Sequence, residues 1–179
     1  MKRLIMGFAL IIILLGVSVS SSASGSTYWS YGSPDRDITV PYYYSSLSPT
    51  WASIVNNSIS TWNTYSNITI SYLSSSPNGI YVGSYVGEWY GKTTVLSSNG
   101  PYILSFKIQL DYMNINADAT SLVNFGRSTC THEFGHVFWL DDDPPGSTST
   151  NSIMNRTRNR DTLYTPQTMD INNVNAKFP

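Results

Sequence analysis

The residues best suited to do chemistry are His132, Glu133 and His136, which lie in the segment His-Glu-Phe-Gly-His. Residues four apart lie on one face of a helix, so both imidazoles can bind one metal ion. The acid beside the first histidine can accept a proton from a metal-activated water without being a ligand. The alternative is a helix with two surface histidines and an unrelated acid. Because these are the only two histidines of the chain, the pattern predicts a metal-dependent hydrolytic site.

A third protein ligand is expected, because catalytic zinc sites usually hold three and leave the fourth position to water. No third histidine exists, and the only other glutamate, Glu88, precedes the motif. The nearest remaining donors are Asp141, Asp142 and Asp143. Asp142 lies six residues past His136, a step that lets the helix end and the chain turn back toward the metal. We therefore predict Asp142 as the third ligand, with a solvated loop or a calcium site as alternative roles for this acidic run.

Three segments resemble those of a known clan of zinc peptidases. Residues 132–142 resemble the extended metzincin motif HExxHxxGxxH/D, with aspartate in the last position. The sequence Ser152-Ile153-Met154-Asn155 is similar to the methionine turn of that clan. Residues 165–176 are similar to the C-terminal helix of matrixin-like catalytic domains. The aspartate ligand is similar to that of the snapalysin-like secreted bacterial members.

The resemblance implies an α+β metzincin fold, with a twisted mixed β-sheet, an active-site helix, and a small C-terminal subdomain containing the methionine turn and a final helix. It implies one catalytic zinc, Glu133 as general base and Met154 as a structural floor beneath the metal. The implied zinc ligands are His132, His136 and Asp142. A peptide or protein substrate would add to the edge strand near residues 93–96, whose low charge favours an apolar or uncharged peptide.

Trp139 stands where the metzincin motif has glycine. Glycine permits a sharp turn after the helix, often with positive φ. A bulky residue in that conformation costs roughly 1–2 kcal/mol. A turn shifted by one residue would make Asp141 or Asp143 the third ligand instead of Asp142.

The first 23 residues read as a secretory signal peptide. Lys2 and Arg3 precede an apolar run over residues 4–17, and Ser21 and Ala23 fit cleavage after residue 23. The apolar run is short for a membrane anchor. We expect residues 24–179 to form one secreted catalytic domain without stable membrane association after cleavage, and we expect a monomer.

The composition carries a few further expectations. The net charge is −1, and removal of Lys2 and Arg3 would leave 8 bases against 11 acids, so nothing favours a nucleic-acid partner. Cys130 is the only cysteine and is predicted to be a small buried residue. Calcium is a further candidate ligand of the acidic side chains at Asp35, Asp37, Asp111 and Asp141–Asp143.

Hydrophobic spacing predicts the elements that position these residues. We expect one helix over residues 48–65, capped by Ser48, and the metal-bearing helix over residues 121–140. The last helix is expected to open at Thr165 and Pro166. Strands are predicted at residues 37–44, 67–73, 79–86 and 103–112, with a short edge strand at 93–96.

Three functions compete on this basis. The first is a secreted zinc endopeptidase in which Glu133 activates water. The second is a catalytically inactive metzincin-like protein that binds a peptide or a partner, suggested by Trp139. The third is a metal-scavenging or structural zinc protein, for which a general-base glutamate would be unnecessary.

Overall fold

A computed structural model describes residues 34–41, 47–143 and 152–179 of the chain. The segment predicted as a signal peptide lies outside these residues. The fold belongs to the α+β class. The elements follow one another as β1 (Asp37–Val40), α1 (Pro49–Tyr65), β2 (Thr69–Tyr72), β3 (Gly79–Gly83), β4 (Gly91–Asn99), β5 (Tyr102–Asp111), α2 (Tyr112–Asp118), α3 (Leu122–Val137) and α4 (Thr168–Lys177).

The strands form two sheets. Strands β1 and β2 pair in parallel, while the second sheet has the order β3-β5-β4, with β3 parallel and β4 antiparallel to β5. The side chain of Asn78 joins the sheets, because its amide donates to the carbonyl of Thr39 at 2.9 Å and accepts from the amide of Phe106 at 3.0 Å. Because β5 has one parallel and one antiparallel neighbour, the second sheet is mixed, as predicted. Strand β4 forms one of its edges.

Helix α1 supplies much of the core against which the helix of His132 and His136 packs. Ser48 caps it as predicted, and five apolar side chains at helical spacing are buried: Trp51, Ile54, Val55, Ile59 and Trp62. Burial of each such side chain stabilises the fold by about 1.5–3 kcal/mol. The indole of Trp62 donates to the carbonyl of Thr131 on α3 at 2.9 Å. This contact fixes α3 from the side of the core.

Helix α2 was not predicted, since its first residue was expected to end a strand. Asp111 caps this helix, and its carboxylate accepts the backbone N–H groups of Met113 and Asn114 at 2.9 and 3.3 Å and of Tyr85 at 3.1 Å. The carboxylate of Asp111 thus accepts three backbone N–H groups, and this structural role explains its position without a calcium ion. Strand β4 is also longer than the predicted 93–96.

Several other boundaries differ from the prediction. The first strand ends at Val40, and residues 42–46 lie outside the described part of the chain. Helix α4 begins at Thr168, after a capping box formed by Gln167 and Asp170, instead of at Thr165. In the parts of the chain that the structure describes, no helix has the length and apolarity needed to cross a bilayer.

Candidate metal centre

Helix α3 places both histidines of the motif on one face. It is capped by Ser121 and ends at Val137, one residue past His136. Each imidazole is 8% exposed, and the two ring centroids are 4.7 Å apart. The predicted helix continued to residue 140, but the chain turns away directly after the second histidine.

Two backbone carbonyls fix the orientation of the imidazoles. Nδ1 of His132 lies 2.9 Å from the carbonyl oxygen of Ile153, and Nδ1 of His136 lies 2.9 Å from that of Leu140. A carbonyl oxygen can only accept, so Nδ1 of each ring carries the proton and Nε2 presents its lone pair. Such a bond to the far nitrogen is typical of metal-binding histidines.

Burial keeps His132 neutral. Burial is the main reason that the pKa of His132 is lowered to about 3, and the positive charge of the nearby Arg158 guanidinium is the second. One nitrogen of Arg158 lies 3.2 Å from Nδ1 of His132 and 2.9 Å from the carbonyl oxygen of Asn155. Because Nδ1 already donates to Ile153, we assign the hydrogen bond of Arg158 to Asn155. His132 is therefore a neutral lone-pair donor at physiological pH.

Asp142 is the aspartate that approaches the histidines in the described part of the chain. Its Oδ1 lies 3.3 Å from Nε2 of His132 and its Oδ2 lies 3.9 Å from Nε2 of His136. Burial raises the pKa of Asp142, but its hydrogen-bond donors, among them the Arg156 guanidinium 2.6 Å from Oδ2, outweigh burial and hold this pKa well below its usual value. An anionic carboxylate thus faces two imidazole lone pairs, an arrangement of acceptors that a cation between them would stabilise.

A left-handed turn brings Asp142 to this position. Trp139 has φ of 78°, the one positive φ at a non-glycine residue among those described. The amide of Leu140 donates to Gly135 at 2.9 Å and the amide of Trp139 donates to His136 at 3.1 Å, which is the Schellman pattern. The turn geometry that the glycine-to-Trp139 departure left open is therefore the left-handed one, adopted here by a bulky residue. Lys177 lies 4.1 Å from the centre of the indole ring and helps to hold it.

The segment predicted as a methionine turn passes beneath α3. Met154 is 2% exposed, and its sulfur packs so closely on Gly135 that a Cβ at that position would overlap it. Asp170 of α4 anchors the turn, since it accepts the hydroxyl of Ser152 at 2.7 Å and the amide of Ile153 at 2.8 Å. The carbonyl of the same residue, Ile153, accepts from His132, so helix α4 supports a candidate ligand through one residue of the turn.

Glu133 is buried beside the imidazoles of His132 and His136 and is 4% exposed. The hydroxyl of Thr93 on β4 lies 2.8 Å from Oε2 of Glu133. Burial raises the pKa of Glu133, while His136 and the bond from Thr93 act in the opposite direction. A Cβ at Gly91 would lie 2.5 Å from Oε1, so the carboxylate occupies space that only glycine leaves open.

Asp141 lines the cleft beside the histidines, whereas Asp143 and Cys130 do not line it. Asp143 is 5% exposed, and its amide donates to the carbonyl of Met154 at 3.2 Å. Burial raises the pKa of Asp143 to about 6. Cys130 is buried as predicted, and burial raises the pKa of its thiol to about 12, so it is an inert core residue.

The side chains His132, Glu133 and His136 form the one group of three potential ligands that the described residues bring together, with ligand atoms within 4.8 Å of one another. The group could hold a metal ion. Its donor set fits, because both imidazoles are neutral and present Nε2, and the adjoining Asp142 is anionic. No protein-family model and no curated protein sequence matches the chain. The chemistry of these side chains therefore carries the functional argument.

Sequence patterns did not reveal Thr93 or Gly91 as parts of the site. Residues 93–96 were expected only to form a rim for substrate. The hydrogen bond from Thr93 joins positions 40 residues apart, and pairing of β4 with β5 in the observed register produces it. A glycine two residues before a threonine in a strand is too common a pattern to indicate this role.

Proposed function

We propose that the protein is a secreted zinc-dependent endopeptidase of the metzincin type, built on a metzincin fold. The observation that carries this proposal is the pair of buried imidazoles whose Nδ1 atoms are fixed by carbonyls, with the carboxylate of Glu133 beside their Nε2 atoms. A purely structural zinc site needs no buried acid at that position. Localisation outside the cell follows from the signal-like residues 1–23 and is part of the proposal.

His132, His136 and Asp142 would hold the metal. Two imidazole nitrogens and one carboxylate oxygen form a donor set that suits zinc and leaves one position open. When bound, zinc supplies a Lewis acid that makes a water more acidic and polarises the substrate carbonyl. Arg156 donates to Asp142 and orients its carboxylate.

Glu133 moves the proton. Its carboxylate accepts a proton from the attacking water and then delivers it to the leaving amine. Burial raises the pKa of Glu133, which brings its proton affinity closer to that needed at neutral pH. Thr93 holds Oε2, so the carboxylate keeps a fixed direction while it exchanges the proton.

Strand β4 is the element best placed to bind a peptide. It is an edge of the β3-β5-β4 sheet, and Thr93 of this strand contacts Glu133. A peptide that adds as a further strand would be held by main-chain hydrogen bonds, with a carbonyl close to the reacting group. We therefore propose peptide or protein substrates. The proposal also includes a monomer that has no nucleic-acid partner and does not need a membrane.

Chelation followed by metal replacement tests this function. The purified protein should digest denatured casein or gelatin at neutral pH, lose that activity with a strong chelator, and regain it with about one zinc per chain. Zinc binding without any cleavage across a broad peptide library would instead favour the inactive peptide-binding protein. Absence of zinc binding would reject the metal centre itself.

A further inference from the structure

We infer that Arg160 forms a subsite for a substrate carboxylate next to the metal centre. This inference rests on the proposed peptidase function and names its substrate class. The class is peptides with an acidic side chain, or a free C-terminal carboxylate, close to the cleaved bond. The first argument is position, since Arg160 lines the same cleft as His132 and Glu133.

Two aromatic rings hold the guanidinium at the wall of this cleft. Its central carbon lies 4.7 Å from the ring centre of Tyr90 and 5.6 Å from that of Phe125. Tyr90 directly precedes Gly91, whose backbone lies against the carboxylate of Glu133. A ligand that contacts Arg160 is therefore close to the reacting position along β4.

The hydrogen-bonding capacity of Arg160 is mostly unused. A guanidinium has five N–H donors, and in the described structure Arg160 makes one hydrogen bond, to the carbonyl of Arg156 at 3.1 Å. Its buried Nε has no acceptor, and no carboxylate of the described residues lies within ion-pair distance of it. A half-buried cation without a counter-ion favours an anionic ligand, and a planar fork suits a carboxylate best.

The two neighbouring arginines of the cleft are already committed. Arg158 is 6% exposed and donates to Ser128 through Nε at 3.0 Å and through Nη2 at 3.2 Å. Arg156 pairs with Asp142 at 2.6 Å. Arg160 is therefore the arginine of this loop with donors left for a ligand.

The overall field of the cleft does not produce the selectivity. Lys92 adds a positive charge to the cleft, but Glu88 and Asp141 line it as well and would repel an acid. The preference must then come from direct contact with Arg160. The low charge of residues 93–96 bears on the part of a peptide that pairs with β4. Arg160 lies on the loop after Met154 and would contact a different part of the peptide.

Paired fluorogenic peptides test the subsite. Each pair differs by glutamate or glutamine at one position around the cleavage site, with an amidated C-terminus, and a second set compares a free C-terminal carboxylate with its amide. We expect the zinc-loaded wild type to prefer one acidic member by at least about tenfold in kcat/KM, mainly through KM. The set that shows the preference identifies whether the carboxylate is internal or terminal.

Matched variants connect this preference to Arg160. Arg160→Gln should abolish it, and Arg160→Lys, which keeps the charge but loses the planar fork, should reduce it. Arg127 also stacks on a tyrosine, at 4.9 Å from the ring centre of Tyr164, but it does not line the cleft. Arg127→Gln should therefore keep the preference.

The outcomes separate the subsite from the peptidase function. If wild type cleaves peptides without an acidic preference, or if Arg160→Gln retains that preference, the subsite is wrong and the peptidase function stands. If no peptide is cleaved, binding of the labelled peptide pairs to wild type and Arg160→Gln decides. If the wild type binds the acidic member more tightly and Arg160→Gln does not, the subsite exists in a protein that is not a peptidase. If the acidic and neutral members bind equally to the wild type, the subsite and the peptidase function are both rejected.

Discussion

The carboxylate of Glu133 lies directly against the backbone of Gly91, where a Cβ would be 2.5 Å from Oε1 and 2.7 Å from Cγ. Helix α3 and strand β4 therefore approach each other at the proposed general base more closely than any side chain at position 91 would permit. Thr93, two residues further on the same strand, holds the other carboxylate oxygen at 2.8 Å. One short piece of β4 thus sets both the place and the direction of the carboxylate.

We predict that Gly91→Ala impairs hydrolysis and leaves zinc bound. The added methyl group must displace Glu133, and a displacement of about 1 Å can cost on the order of a hundredfold in rate. Rates and zinc content measured on one preparation check this. Gly79→Ala is the control, because the atoms nearest to its added methyl belong to the half-exposed ring of Tyr81, away from Glu133, and it should retain near-normal rates. A similar loss in both variants would indicate a general effect of strand glycines.

The aspartate variants identify the third ligand. Asp142→Ala should weaken zinc binding strongly, because the carboxylate lies 3.3 Å from Nε2 of His132. Asp141→Ala and Asp143→Ala should weaken it less. Competition with a zinc indicator gives the three dissociation constants. Strongest loss in Asp141→Ala or Asp143→Ala would mean that the metal-bound turn is shifted by one residue.

Trp139 stores backbone strain that substitution can release or increase. Its φ of 78° costs roughly 1–2 kcal/mol for a bulky residue, and Trp139→Gly removes that cost but also loses the contact with Lys177. We expect the free energy of unfolding of Trp139→Gly to lie within about 1 kcal/mol of wild type. Trp139→Val should be less stable than Trp139→Gly by at least about 1 kcal/mol, because a β-branched residue suits this region poorly. Equal denaturation midpoints for these two variants would argue against the left-handed turn.

The stability of the metal-free protein should depend on the protonation of His132. The pKa of His132 is about 3 in the folded protein and roughly 6.5 in the unfolded chain. Below pH 6.5 the unfolded chain binds a proton that the folded protein does not, so stability falls as the pH decreases toward 3. From pH 7 to pH 5 the protonation of His132 should lower the free energy of unfolding by about 2 kcal/mol.

A difference measurement isolates that effect from other titrating groups. Chemical denaturation of wild type and His132→Gln, both with chelator present, gives the difference in unfolding free energy at each pH. We expect the advantage of wild type to shrink between pH 7 and pH 5. A constant difference across that interval would show that His132 titrates equally in both states.

The grouping of His132, Glu133 and His136 was predictable from the sequence because all three residues lie in one helix. Spacing alone placed His132 and His136 on one face, with Glu133 between them, and a helix has one geometry. The step to Asp142 was predictable for a related reason, since a helix that ends after its second histidine leaves few paths back. The conformation of Trp139 was left open, because the sequence could not decide between the left-handed turn of the family glycine and a turn shifted by one residue.

What could not be predicted depends on contacts between distant segments. The bond from Thr93 to Glu133 requires the register of β4 on β5, which short strands with alternating polarity do not determine. Helix α2 was missed because Asp111 ends a strand and caps a helix at the same residue. The bridge from Asp170 through the backbone N–H and carbonyl of Ile153 to His132 likewise exists only after α4 has packed beneath the turn.

The most direct test of the central claim compares peptide hydrolysis by zinc-loaded wild type and zinc-loaded Glu133→Gln. The variant keeps the shape of the side chain and the bond partner at Thr93 but cannot accept the proton. We predict equal zinc content and a fall in the hydrolysis rate of at least about a hundredfold, the size of a general-base contribution. Equal rates in the two proteins, with zinc bound in both, would contradict the assignment of Glu133 as the general base of a zinc peptidase.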